Sequence, residues 1–115
     1  SNIINNFDIA LIKGDESLHT YQNHPMRQYA QEEILVDGNP THKLTSKDPN
    51  CNHILFFINI GQINGENLYL RIYTHPNPPG ISQEFTDSLN TSIRTITIDK
   101  QKSKNLKESI DSLYQ

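Results

Sequence analysis

The chain has 115 residues, 34% of them hydrophobic, with one cysteine and a net charge of −3; its mean hydropathy is −0.65. That length suits one domain (1–115) around a single core, the lone Cys51 excludes an internal disulfide, and no apolar run approaches the ~18 residues of a membrane span. Charge is unevenly placed, ten acids against five Lys and Arg in residues 1–90 and three against five in residues 91–115; so acidic a body disfavours nucleic acid, whose binding needs a basic stripe to displace counterions.

Residues 1–6 are polar and Asn-rich and read as a loose lead-in. From Phe7 to Ile12 the pattern alternates, with Phe7, Ile9 and Leu11 on one face, and predicts a first strand. Lys13-Gly14-Asp15 turns the chain, and Asp15 stands where it can cap a short helical turn carrying Leu18 and Tyr21. Pro25 suits a first helical position. With Met26, Tyr29, Ala30 and Ile34 at helical spacing after it, a helix is predicted from about Pro25 to Glu33. Ile34-Leu35-Val36 reads as a short strand ending at Asp37-Gly38. From Asn39 to Asn52 two prolines and many small polar residues predict a long loop.

The strongest signal lies at residues 53–75, two runs rich in Ile, Leu, Phe and Tyr around Asn64-Gly65. An Asn-Gly pair between apolar runs is the mark of a two-residue hairpin, because both turn residues need positive φ. Counting outward from that turn places Leu55, Phe57, Asn59 and Gly61 with Leu68, Leu70, Ile72 and Thr74 on a core face. Ile54, Phe56, Ile58 and Ile60 then share the other face with Tyr69, Arg71, Tyr73 and His75. After the proline-rich stretch at 76–80, Ser82 can cap a helix with Ile81, Phe85 and Leu89 at every fourth residue. Thr91 to Ile98 is β-branched and alternating and predicts a strand. From Ser103 onward, Leu106, Ile110, Leu113 and Tyr114 form one stripe of an amphipathic helix. The fold class is therefore α+β: a mainly antiparallel sheet built on the central hairpin (about 53–75), with two to three helices packed on one face.

Five histidines bring metal and acid–base chemistry into question. His42, Cys51 and His53 give three ligands at the long loop, but structural zinc takes four, commonly with paired cysteines, so neither metal nor cofactor is expected. The glycines stand singly, which gives no phosphate-cradling loop, and no serine sits in a nucleophile elbow. A metal-free ribonuclease needs two groups converging on one phosphate. In the counted register His53 and His75 project to opposite faces unless a bulge intervenes. His75, Arg71 and Tyr73 share one strand face, with His19 or His24 to join them, and form the alternative catalytic set.

Short, acidic and poor in motifs, the chain fits the profile of the immunity proteins that neutralise bacterial nuclease toxins. The expected function is a small cofactor-free protein-binding module, an inhibitor that occludes a basic toxin. Tyr and Arg dominate interface hot spots, so Tyr69, Arg71 and Tyr73 are the expected anchors, with Asp37, Asp48 and Glu66 as an acidic rim. Two alternatives stand beside it, a metal-free RNase-like toxin domain using His75, Arg71 and Tyr73, and a secreted or periplasmic adaptor. No signal-peptide pattern opens the chain, which reads as cytoplasmic, or as secreted or periplasmic with its signal removed.

Overall fold

The structure, a computed structural model, describes residues 4–25, 28–48, 53–76 and 83–114. In chain order it comprises β1 (Ile4–Lys13), α1 (Glu16–Gln22), β2 (Tyr29–Val36), β3 (Asn39–Ser46), β4 (Ile54–Ile63), β5 (Glu66–Pro76), α2 (Gln83–Arg94) and α3 (Lys100–Ser112). The strands form one antiparallel sheet in the order β1-β5-β4-β3-β2. This is the α+β fold that the sequence predicts.

The central hairpin closes as expected, with positive φ at Asn64 and Gly65 (53° and 80°) and Ile63 opposite Glu66. Three residues further on the register changes. Gln62 pairs with Asn67, but Asn59 pairs with Tyr69 and Ile58 with Leu70, so β4 holds one extra residue at Ile60-Gly61. This β-bulge needs Gly61, whose φ of 119° lies where side-chain-bearing residues are strained. Asn59 Oδ1 accepts a hydrogen bond from the Gly61 amide at 2.9 Å. The extra residue moves the rest of β4 to the opposite faces from those counted from the turn. Ile54, Phe56, Ile58 and Ile60 therefore join Leu68 and Ile72 in one core, while Leu55 and Phe57 join Tyr69 in another.

Both faces of the sheet are covered, by different helices. Leu89 and Ile93 of α2 pack on the first core, with Ile96 and Ile98 from the segment after it. Leu18 of α1 packs on the second, beside Leu44, Leu55, Phe57 and Tyr69, with Tyr21 against it. α3 buries no residue of its own; the Lys104 chain end lies over Gly61, and Asp111 pairs with Lys13 of β1 at 3.5 Å.

Three predicted elements differ. β2 takes in Ile34-Leu35-Val36, expected as a short strand, but begins at Tyr29, where a helix to about Glu33 was expected, and residues 39–46 form β3 where a loop was expected. The cause is the Asp37-Gly38 turn, whose φ values of 49° and 75° repeat the geometry of the Asn64-Gly65 turn and pair Val36 with Asn39. Sheet pairing outweighs the helical spacing of a few apolar residues. Thr91 to Ile98 is not a strand. Thr91–Arg94 completes α2, placing Ile93 one turn past Leu89, and residues 95–99 are irregular. Cys51, Met26, Ile81 and Ser82 lie outside the described residues.

Candidate functional site

The bulge brings His53, Leu55 and Phe57 onto the face of β5 that carries Asn67, Tyr69, Arg71 and Tyr73, and α1 packs on part of this face. Tyr69 is buried, and its hydroxyl donates to Asp15 Oδ1 at 2.5 Å; Asn67 Nδ2 donates to the same oxygen at 3.0 Å. Asp15 precedes α1 at the cap position but makes no side-chain cap bond, because these two residues of β5 take its carboxylate. The bonds hold the Asp15 carboxyl below its ordinary range, the Tyr69 hydroxyl contributing most, while burial and then this carboxylate push Tyr69 up to about 12.

Tyr69→Phe removes this tether and is expected to lower stability by about 1–2 kcal/mol at pH 7, the lower part of the range for bonds to a charged group, since Asp15 stays open to water. Two pH windows follow by linkage. The Asp15 contribution is complete above the unfolded value near 3.8 and is lost as pH falls through the lowered folded value. The Tyr69 contribution is complete below pH 10.0 and is lost as pH rises towards 12. Urea midpoints at pH 3, 7 and 10.5 test this: the wild-type advantage over Tyr69→Phe should be largest at pH 7.

Further along the same face, Arg71 Nη2 pairs with Asp8 Oδ2 at 3.2 Å across the β1–β5 ladder. The Arg71 Nε is buried and has no hydrogen-bond partner among the described residues. Tyr73 is half-buried, with its hydroxyl 3.3 Å from Nδ1 of His53. The Tyr29 hydroxyl lies 2.6 Å from the other ring nitrogen, Nε2, and both tyrosine rings stand 5–6 Å from the imidazole, at 5.5 and 5.2 Å. Through the bulge His53 shares a face with Tyr73. Yet His53 is buried and both its ring nitrogens are engaged by tyrosine hydroxyls, so the group holds β2, β4 and β5 together and offers no open position to a substrate. The side chain of His75 lies outside the described residues. Among the described residues no group of three or more His, Cys, Asp or Glu is placed to hold a metal ion.

The expected acidic rim divides. Asp37 and Glu66 sit in or beside the β2–β3 and β4–β5 turns, at the end of the sheet where β1 runs into Asp15 and Glu16. Asp37 is exposed, and its Oδ2 accepts from the Ile98 amide at 2.8 Å. Asp48 follows β3 at the opposite end. Of the expected anchors, Tyr69 presents a partner with almost no surface, while Arg71 and Tyr73 are half-buried.

The exposed apolar residues lie elsewhere. Ile9 of β1 is 52% exposed, and Leu106, Ile110, Leu113 and Tyr114 of α3 and the residues after it are 54%, 38%, 80% and 85% exposed. Ile9, Leu11 and Leu70 floor an open groove of about 390 Å³, and Leu106, Lys107 and Ile110 form its wall. It continues towards Ile72, Ile96 and Ile98. Sequence periodicity finds the α3 stripe but not which way it faces. Its exposure follows from the placement of α3, which no local pattern encodes. Comparison with protein-family models, curated proteins and solved structures finds no match.

Proposed function

We propose that this chain is a protein-binding module that works by occupying a partner's surface, in the manner of inhibitor and immunity proteins that cover a basic toxin. The observation that carries this reading is the apolar strip left open along β1 and α3. Single exposed apolar side chains are ordinary, but a contiguous strip rimmed by polar groups is typical of interaction surfaces. Asp37, Glu66 and Glu16 at one end of the sheet add a negative field that would steer a basic partner and orient its approach. Apolar burial on α3 and β1 would supply affinity, and the bulk of the domain would then exclude other ligands from the covered surface.

The test is recovery of a partner by the tagged full-length chain from cells of its source, with Leu106→Asp/Ile110→Asp as the control bait. A stoichiometric basic protein retained by the wild type and lost by the double variant is the expected result. Equal retention by both baits, or no retained protein, contradicts the reading.

A further inference from the structure

The groove beside α3 runs along an open edge of the sheet. β1 is one of the two outer strands, and among the described residues no strand pairs with its far side. The Gly14 amide donates to the Asn67 carbonyl at 2.7 Å. In an antiparallel ladder such bonded pairs recur at every second residue, so Ile12–Tyr69 and Ala10–Arg71 continue the set. Ile9 and Leu11 therefore turn their N–H and C=O groups outward. The same two residues place their side chains on the groove floor, facing Leu106 and Ile110. A free backbone edge and an apolar trough thus come from the same short segment, and these are the two requirements for capture of an extended peptide by strand addition.

Charge points to the chemistry of the occupant. α3, which forms the wall, carries four lysines against Glu108 and Asp111. Asp111 is already shared between Lys13 and Lys107, at 3.5 and 3.0 Å. Lys102 lines the groove's continuation. We infer that β1 accepts, as an added sixth strand, an extended segment of a partner protein that carries, at alternate positions on its face towards α3, two aliphatic side chains flanked by carboxylates. The aliphatic side chains enter the trough beside Ile9 and Leu11, and the flanking carboxylates, two residues away and so on the same face, meet the lysines beside the groove, Lys102 and Lys107. A second copy of this chain suits the edge less well, because the acid it would bring on β1, Asp8, is already paired with Arg71. The inference rests on the protein-binding reading and adds to it the mode and the chemistry of one contact.

The experiment uses the ¹⁵N-labelled full-length chain and a capped nine-residue peptide, Thr-Glu-Thr-Val-Thr-Val-Thr-Glu-Thr, whose valines and glutamates share one strand face. Its controls are the counterpart with lysine in place of both glutamates and the same acidic peptide N-methylated at every second residue. The acidic peptide is expected to bind at least tenfold more tightly than either control. Its binding should slow amide exchange at Ile9 and Leu11 at least tenfold while leaving Ala10 and Ile12, already bonded to β5, unchanged. Ile110→Asp should weaken it at least tenfold with the urea midpoint of the chain preserved. Absence of binding, or binding without protection of Ile9 and Leu11, overturns the inference. So does a dimer of the chain that protects the same two amides before peptide is added. If the partner-recovery experiment succeeds while this one fails, the protein-binding reading stands and only strand addition is lost; if the partner is not recovered, the reading itself fails.

Discussion

Phe57→Ala is expected to cost about 3–5 kcal/mol, a large share of the roughly 5–15 kcal/mol by which a domain of this kind is held folded. Phe57 is fully buried, and its ring lies 6.0 Å from that of Tyr21 and 5.8 Å from that of Tyr69, the latter edge to face. It joins α1 to the sheet, because Leu18 and Tyr21 pack into the same cluster. Removing the ring therefore opens a cavity between α1, β4 and β5 that no flexible neighbour can fill. The effect depends on the bulge. With Gly61 displacing the register, Phe57 faces α1 and Phe56 faces α2; without it the two would exchange sides. Urea unfolding checks this through a lower midpoint with an unchanged slope. Gly61→Val should destabilise as well, by roughly 1–3 kcal/mol, since φ near 119° is strained for any side chain. A loss under 1 kcal/mol for Phe57→Ala would mean that the ring is not buried between α1 and the sheet.

Much of this architecture is legible in the sequence. The Asn64-Gly65 turn announces the hairpin, and the alternation of residues 7–12 announces β1. The bulge leaves a single clue, an isolated glycine within an apolar strand, which marks either a bulge or a close backbone approach. Here it is both, with the Lys104 chain end over Gly61. β3 is hidden because an interior strand rarely reads as Pro-Thr-His-Lys-Leu-Thr-Ser. Thr41 and Ser46 are buried all the same, with the Thr41 hydroxyl donating to Asn39 O at 2.9 Å. The Asp37-Gly38 turn carried the same information as Asn64-Gly65, and reading it as a hairpin would have recovered β2 and β3 together. Thr95-Ile96-Thr97-Ile98 mimics a strand, but its isoleucines pad the core from an irregular segment.

The site was less legible for a physical reason. The tyrosines and arginine of β5 attract attention as interface residue types, yet local pattern does not reveal that α1 covers them or that Asp15, Asp8 and His53 engage their polar ends. The apolar stripe of α3 was visible, but a stripe in sequence shows only that a helix has an apolar side. Whether that side faces the core or the solvent depends on where the helix docks, and α3 docks so that Leu106 stays half-exposed.

Leu106→Asp with Ile110→Asp is expected to lower partner affinity about 100-fold, near 2.8 kcal/mol at 1.4 kcal/mol per decade. Losses of that size are usual when apolar hot-spot residues are replaced by charge. The fold should be preserved, because α3 buries no residue and its cap, Asp99 Oδ1 accepting from the Lys102 amide at 2.9 Å, is untouched; surface changes of this kind shift stability by less than about 1 kcal/mol. Arg71→Ala acts on a half-buried side chain already paired with Asp8, and should reduce affinity far less.

The most direct measurement is isothermal titration of the recovered partner against the wild type, Leu106→Asp/Ile110→Asp and Arg71→Ala, each shown by circular dichroism to be folded. The account predicts a loss of about 100-fold for the double variant and less than fivefold for Arg71→Ala. Wild-type affinity in the double variant together with a large loss in Arg71→Ala would contradict it, and would return the binding surface to the tyrosine–arginine face of β5.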